Sequence, residues 1–223
     1  MHTAMILAAG RGERLNPITE TMPKALCIVH HIPLIEHHII NLAKAGFQRI
    51  IINHAYLGGK IRQHLGNGAH WDVRILYSPE PPGGLETGGG IVNALPLLGN
   101  HPFLVVNADI FTDYSFSSLA LPPKQLAHLV LVNKPFYYQH GDFGLSTLQY
   151  LENENRQYTF AGIACYHPHA FKHGHPGRYS LTPLLRDLAK HKKASGEIHR
   201  GKWIDIGSPE RLQQANRETH IPE

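Results

Sequence analysis

From Ala4 to Ala9 the chain reads Ala-Met-Ile-Leu-Ala-Ala and halts at Gly10, with Gly12 following one residue later. An unbroken apolar run of strand length has no polar face to offer water, so it belongs inside a sheet covered on both sides. That constraint points to an α/β chain. The two glycines let the backbone bend tightly and present bare N–H groups at the edge of the sheet, an arrangement suited to an anion. Arg11, Arg14 and Lys24 add side-chain charge around the same point. The loop is built for phosphate.

Spacing excludes two common phosphate loops. A dinucleotide fingerprint needs a third glycine where this chain has Leu15, and the second strand ends in Asn53-His54 with no acidic residue for a ribose. A Walker A loop needs Gly-Lys-Ser/Thr, which occurs nowhere in the sequence. The alternative reading, a plain surface turn after a strand, leaves the run of cations through Lys24 unexplained.

A length of 223 residues with 42% apolar content supports one sizeable core, and a single domain spanning residues 1–223 is expected. The N-terminal apolar run is cut short by arginines, so neither a signal peptide nor a membrane span is expected. Cys27 and Cys165 lie far apart without metal spacing, which fits reduced thiols in a cytoplasmic protein. The net charge is +4, yet the basic residues are scattered and the clearest cluster is Lys190-His191-Lys192-Lys193. An anionic small substrate explains that bias without nucleic acid.

Apolar residues at 34, 35, 39, 42 and 43 predict a helix closed by Gly46, and Ile50-Ile51-Ile52 a second strand. A short helix over 60–65 and a third strand over 73–77 complete an alternation typical of a parallel sheet with helices on both faces. Ligands of such sheets bind beyond the carboxyl ends of the strands. The run from Phe103 to Asp109 predicts a fourth strand, apolar until Asn107-Ala108-Asp109. A carboxylate at the tip of a buried strand needs a partner, and a divalent ion on a triphosphate supplies one, whereas a turn cap is the simpler alternative. Asn107, at the same edge, is placed to touch the nucleotide or the ion. Asp205 stands in a like position before the cap Ser208-Pro209-Glu210 and is the second metal-ligand candidate, with simple surface placement as its alternative.

Further strands are expected over 127–133 and 158–166, the latter with Gly162 where a backbone approaches closely. Residues 137–144 form a loop whose aromatic and polar mixture suits a sugar or a plain surface equally. Residues 196–207 suggest paired strand segments. His167, His169, His173 and His175 sit among prolines and glycines without a carboxylate or thiolate partner, so a zinc site is set aside.

Leu7-Ala8-Ala9-Gly10-x-Gly12-x-Arg14 followed by Pro17-x-Thr19 and Pro23-Lys24 resembles the signature of the sugar-phosphate nucleotidyltransferase family. The resemblance extends through 52–58, 77–80, 85–90, 106–109, 141–143 and 203–207, and is greatest to members that transfer a uridylyl group in cell-wall sugar recycling. It implies a Rossmann-like, mostly parallel sheet with helices on both faces. It also implies an enzyme joining UTP to a sugar 1-phosphate with Mg²⁺. Nucleotide contacts are implied at Ala9, Gly10, Gly12, Glu13, Arg14, Lys24 and Asn107, and at Thr87 and Gly88 in the loop that holds base and ribose. Arg14, Lys24 and Asp109 become the catalytic set, Asp109 and Asp205 the Mg²⁺ ligands, and Asp142 a sugar-phosphate contact. The Glu-Lys-Pro segment of longer relatives has no counterpart here, so the cation for the sugar phosphate is either the metal ion itself or Lys202. The alternatives are a mannose 1-phosphate guanylyltransferase, or a non-catalytic nucleotide-binding module. A monomer and a homodimer both remain open.

Overall fold

The structure, a computed structural model, describes residues 1–218. Its centre is a seven-stranded sheet of β1 (Thr3–Leu7), β2 (Arg49–His54), β3 (Arg74–Pro79), β4 (Phe103–Asn107), β5 (Ala127–Asn133), β6 (Tyr158–Tyr166) and β7 (Ala194–Ile198). Across the sheet the order is β7-β5-β6-β4-β1-β2-β3. β1 pairs in parallel with β2 and β4, β2 with β3, and β7 with β5. Only β6 runs against its neighbours β4 and β5.

Alternation along the strands separates two cores. Ala4, Ile6, Ile50, Ile52, Leu104 and Val106 face Ile35, Ile39 and Leu42 of α1 (Leu34–Lys44) and Ile61 and Leu65 of α2 (Gly58–Leu65). Met5, Ile51, Phe103 and Val105 face Ile91, Ala94 and Leu98 of α3 (Glu86–Leu98) and Leu185 and Leu188 of α4 (Thr182–Lys190). Both faces of the inner strands are thus dry, as the uninterrupted apolar runs require. Truncating a buried isoleucine such as Ile51 to alanine costs about 2–5 kcal/mol.

A third cluster lies beyond the carboxyl edge. Leu15, Leu34, Phe111, Ile204 and Ile206 pack with Ala215 of α5 (Pro209–Arg217). It clamps the first loop against the antiparallel pair Ile110–Thr112 and Trp203–Asp205. Ser208 caps α5 by accepting from the Arg211 amide at 3.4 Å, as its sequence predicts.

Two expectations change here. The fourth strand ends at Asn107 instead of running to Asp109, and Ala108 and Asp109 form the turn into Ile110–Thr112. Residues 196–207 are not one hairpin: Ala194–Ile198 joins the main sheet beside β5, while Trp203–Asp205 leaves to pair with Ile110–Thr112.

Candidate active site

The carboxyl ends of β1, β2, β3 and β4 open onto a cleft of about 1010 Å³ lined by Ala9 to Arg14, Lys24, Asn53, Glu80, Gly84, Thr87, Asn107 and Asp109. Gly12 turns the first loop at φ +72, and a Cβ built there would lie 3.0 Å from the Lys24 side chain. Glycine is therefore needed twice over, for the left-handed backbone and for Lys24 to pass beneath it. The Thr19 hydroxyl donates to the Gly12 carbonyl at 2.9 Å and holds the turn from below. Leu15 is fully buried in the third cluster, which leaves Glu13 and Arg14 at the cleft. Arg14 lies so close to Gly207 that a side chain there would crowd its guanidinium.

A second cavity of about 280 Å³ lies beside the first, lined by Tyr138, His140, Asp142, Thr159, Phe160, Gly162, Trp203 and Asp205. Asn107 and Asp109 line both. β6 makes this junction possible: at Gly162, φ +72, its register with β5 shifts between Phe160 and Ala164, and a Cβ there would lie 2.7 Å from Asn107 Nδ2. Trp203 Nε1 donates to the Ala161 carbonyl at 2.9 Å and fixes the bulge.

Asp109 and Asp205 both line the smaller cavity. Asp205 pairs with Ile110 across the short ladder, and the Ile206 amide donates to the Asp109 carbonyl at 2.7 Å. Lys24 Nζ reaches Asp109 Oδ2 at 2.5 Å. Tyr138 donates its hydroxyl to Asp205 Oδ2 at 2.5 Å, and Arg211 forms an ion pair with Oδ1 without completing a hydrogen bond. Among the described residues no group of three or more His, Cys, Asp or Glu side chains gathers in a way that could hold a metal. Two carboxylates that line one cavity do suit a hard cation that takes its remaining ligands from phosphate and water.

Asp142 lines the smaller cavity, its Oδ2 accepting from the Phe160 amide at 2.9 Å. Thr87 lines the larger one and accepts from the Leu181 amide at 3.1 Å. Gly88 and Lys202 are placed elsewhere. The Gly88 amide donates to the Tyr179 carbonyl at 3.1 Å, and the Tyr179 ring covers the space where a Cβ would stand. The glycines thus admit the 177–180 segment to α3 instead of a base. Trp203 and Asp205 line the smaller cavity, whereas Lys202, just before that short strand, lines neither cleft.

Among the cleft residues to which the sequence reading gave no role are Asn53, Glu80 and Arg178. Asn53 and Glu80 stand at strand ends, and Arg178 comes from the histidine-rich segment to pair with Glu86 at 3.2 Å over the larger cleft. Position just after a strand was the one available signal for the first two, and Arg178 carried none. A serine–histidine–glutamate set also exists: Ser195 Oγ lies 2.8 Å from His128 Nδ1, and His128 Nε2 lies 3.3 Å from Glu197. Ser195 and His128 are each only 5% exposed and line neither cleft, so the set is satisfied core polarity and not a nucleophile.

The sequence model of the family described as nucleotidyl transferase matches residues 3–147. N-acetylmuramate alpha-1-phosphate uridylyltransferase of Neisseria meningitidis serogroup B is 47% identical over 221 residues, covering 95% of this chain and 96% of that protein. The protein of the same name from Caulobacter vibrioides is 30% identical, covering 93% and 92%. A structure described as a glucose-1-phosphate thymidylyltransferase of Bacillus anthracis, solved with sucrose, superposes with a TM-score of 0.85 at 22% identity over 99% of this chain and 98% of that one, a likeness of fold. With the glycine loop, the paired carboxylates and these similarities running through nearly all its length, the chain belongs to the nucleotidyl transferase family of sugar-1-phosphate nucleotidyltransferases.

Proposed function

We propose that the protein transfers the uridylyl group of UTP to N-acetylmuramate α-1-phosphate, giving UDP-N-acetylmuramate and pyrophosphate, as a step in cytoplasmic recycling of cell-wall sugar. The observation that carries the reading is the meeting of two cavities at Asn107 and Asp109, in a chain so extensively similar to the Neisseria enzyme. One cavity is large enough for a nucleoside triphosphate and the other suits a monosaccharide.

In the reaction an oxygen of the sugar phosphate bonds to the α-phosphorus of UTP while the bond from that phosphorus to the pyrophosphate oxygen breaks. The nucleophile is already an anion at neutral pH, so no general base is required and the barrier lies in gathering negative charge. Arg14, Lys24 and the amides of Gly10 to Gly12 meet the triphosphate and the departing pyrophosphate. Asp109 and Asp205 would hold Mg²⁺, which supplies charge neutralisation at the phosphates. Asp142 accepts from a sugar hydroxyl or the acetamido N–H, since a carboxylate repels the phosphate itself.

The test is pyrophosphate release with Mg²⁺, setting UTP, GTP, CTP and dTTP against the 1-phosphates of N-acetylmuramate, N-acetylglucosamine, glucose and mannose. Selective release with UTP and the muramate ester is expected. Selective release with another pair replaces the substrate assignment, and no release from folded protein removes the catalytic reading.

A further inference from the structure

Asn53 and Glu80 stand at the ends of β2 and β3, on the floor of the larger cleft, and the chemistry described so far uses neither. Asn53 is 2% exposed. Its Oδ1 accepts from the Ala8 amide at 2.8 Å, and its Nδ2 donates to Glu80 Oε1 at 2.6 Å. The other oxygen, Glu80 Oε2, accepts from the Leu85 amide at 2.7 Å. Two side chains therefore connect the start of the phosphate loop to the start of the segment carrying Glu86 and Thr87. Gly90 leaves them the room: a Cβ there would lie 2.7 Å from Glu80 Oε1 and 2.9 Å from Asn53 Nδ2.

We infer that Glu80, acting through Asn53, is a positioning residue that fixes the spacing between the phosphate loop and the 85–87 segment, so that both engage one nucleotide at once. The inference rests on the nucleotidyl-transfer reading above. Every junction in the relay has a defined donor and acceptor. Two amide N–H groups enter from the ends, so the pair between them must offer three acceptors and one donor. Asparagine followed by a carboxylate meets that demand. Glutamine at position 80 cannot, because whichever way its amide turns, an N–H faces either the Leu85 amide or Asn53 Nδ2. A buried donor left unmatched costs more than a hydrogen bond merely lost. Aspartate at 53 together with glutamine at 80 meets the demand again, with the charge moved by one side chain.

The experiment compares wild type, Glu80→Gln and the Asn53→Asp/Glu80→Gln double variant for UTP binding by calorimetry, KM for UTP and for the sugar 1-phosphate, and amide exchange at Ala8 and Leu85. Glu80→Gln is expected to weaken UTP binding about tenfold, the equivalent of one such junction. The sugar-phosphate KM should stay within about twofold, Leu85 exchange should quicken, and the double variant should recover UTP binding to within about threefold of wild type. UTP binding unchanged in Glu80→Gln, equal loss for both substrates, or a double variant no better than the single one overturns the inference. Wild type that binds no nucleoside triphosphate overturns the transfer reading itself, and is distinct from wild type and Glu80→Gln binding UTP alike.

Discussion

Lys24 Nζ lies 2.5 Å from Asp109 Oδ2, so the residue proposed to meet phosphate and the residue proposed to hold a cation neutralise each other. The Lys24 side chain is 12% exposed and that of Asp109 35%, which makes the pair more than a surface contact. Lys24 occupies the position that a divalent ion on a triphosphate would compete for. On the proposed reading, nucleotide and ion entering together would give each member of the pair a new partner of opposite charge and leave no carboxylate bare.

Lys24→Met is expected to lower turnover by on the order of 100-fold or more, the usual cost of removing a fixed charge from a phosphoryl site. In the same variant, without nucleotide, Mn²⁺ should bind more tightly than in wild type, because Asp109 has lost its competitor. A Mn²⁺ titration followed by electron paramagnetic resonance measures this. Equal or weaker binding shows that Lys24 does not compete for the carboxylate.

Tyr138→Phe removes the hydroxyl that donates to Asp205 Oδ2 at 2.5 Å. The carboxylate then loses one of its two anchors, Arg211 being the other. The Mg²⁺ concentration for half-maximal turnover should rise several-fold while kcat at saturating Mg²⁺ stays near that of wild type. A fall in kcat with no change in Mg²⁺ requirement contradicts the orienting role.

Gly162→Ala places a side chain at φ +72, 2.7 Å from Asn107 Nδ2. The backbone penalty alone is about 1–2 kcal/mol. Asn107 must also move, and it lines both cavities. Thermal unfolding should show a lower Tm, and steady-state kinetics a raised KM for both substrates. A variant with wild-type KM values would mean that Asn107 is indifferent to the bulge.

His38 on α1 is 2% exposed, and burial pushes its pKa down to about 4, with His37 adding repulsion, while Asp109 and the Ile110 backbone oppose the shift. The folded state thus refuses a proton that the unfolded chain accepts from about pH 6.5 downward. Stability attributable to this group is full above pH 6.5 and falls between 6.5 and about 4, by on the order of 3 kcal/mol. His38→Leu should flatten that part of the stability profile relative to wild type. Urea midpoints at pH 7 and pH 4.5 give the comparison, and parallel declines in the two proteins would exclude His38 as the cause.

The strands were legible because each is an apolar run stopped by glycine, proline or a polar tip, as at Ala4–Ala9 and Ile50–Ile52. Asp109 and Asp205 were legible for a related reason, being acidic residues where a buried element ends. Faces and partners were not legible. Nothing in the sequence tells which residues of 202–205 line the smaller cavity, and the structure puts Trp203 and Asp205 there without Lys202. Gly88 was expected in the loop that holds base and ribose, but what packs against it is the 177–180 segment, far off in sequence. Glu80 and Arg178 were missed because a single charged residue beside prolines and glycines has no period to stand out from.

The shared wall at Asn107 and Asp109 gives the cleft pair a waist. On the proposed reaction a nucleotide sugar would span the waist and fill both lobes, and so compete with either substrate, whereas pyrophosphate would occupy the larger lobe alone. The traffic would then be asymmetric: pyrophosphate would have one lobe to leave and the nucleotide sugar two.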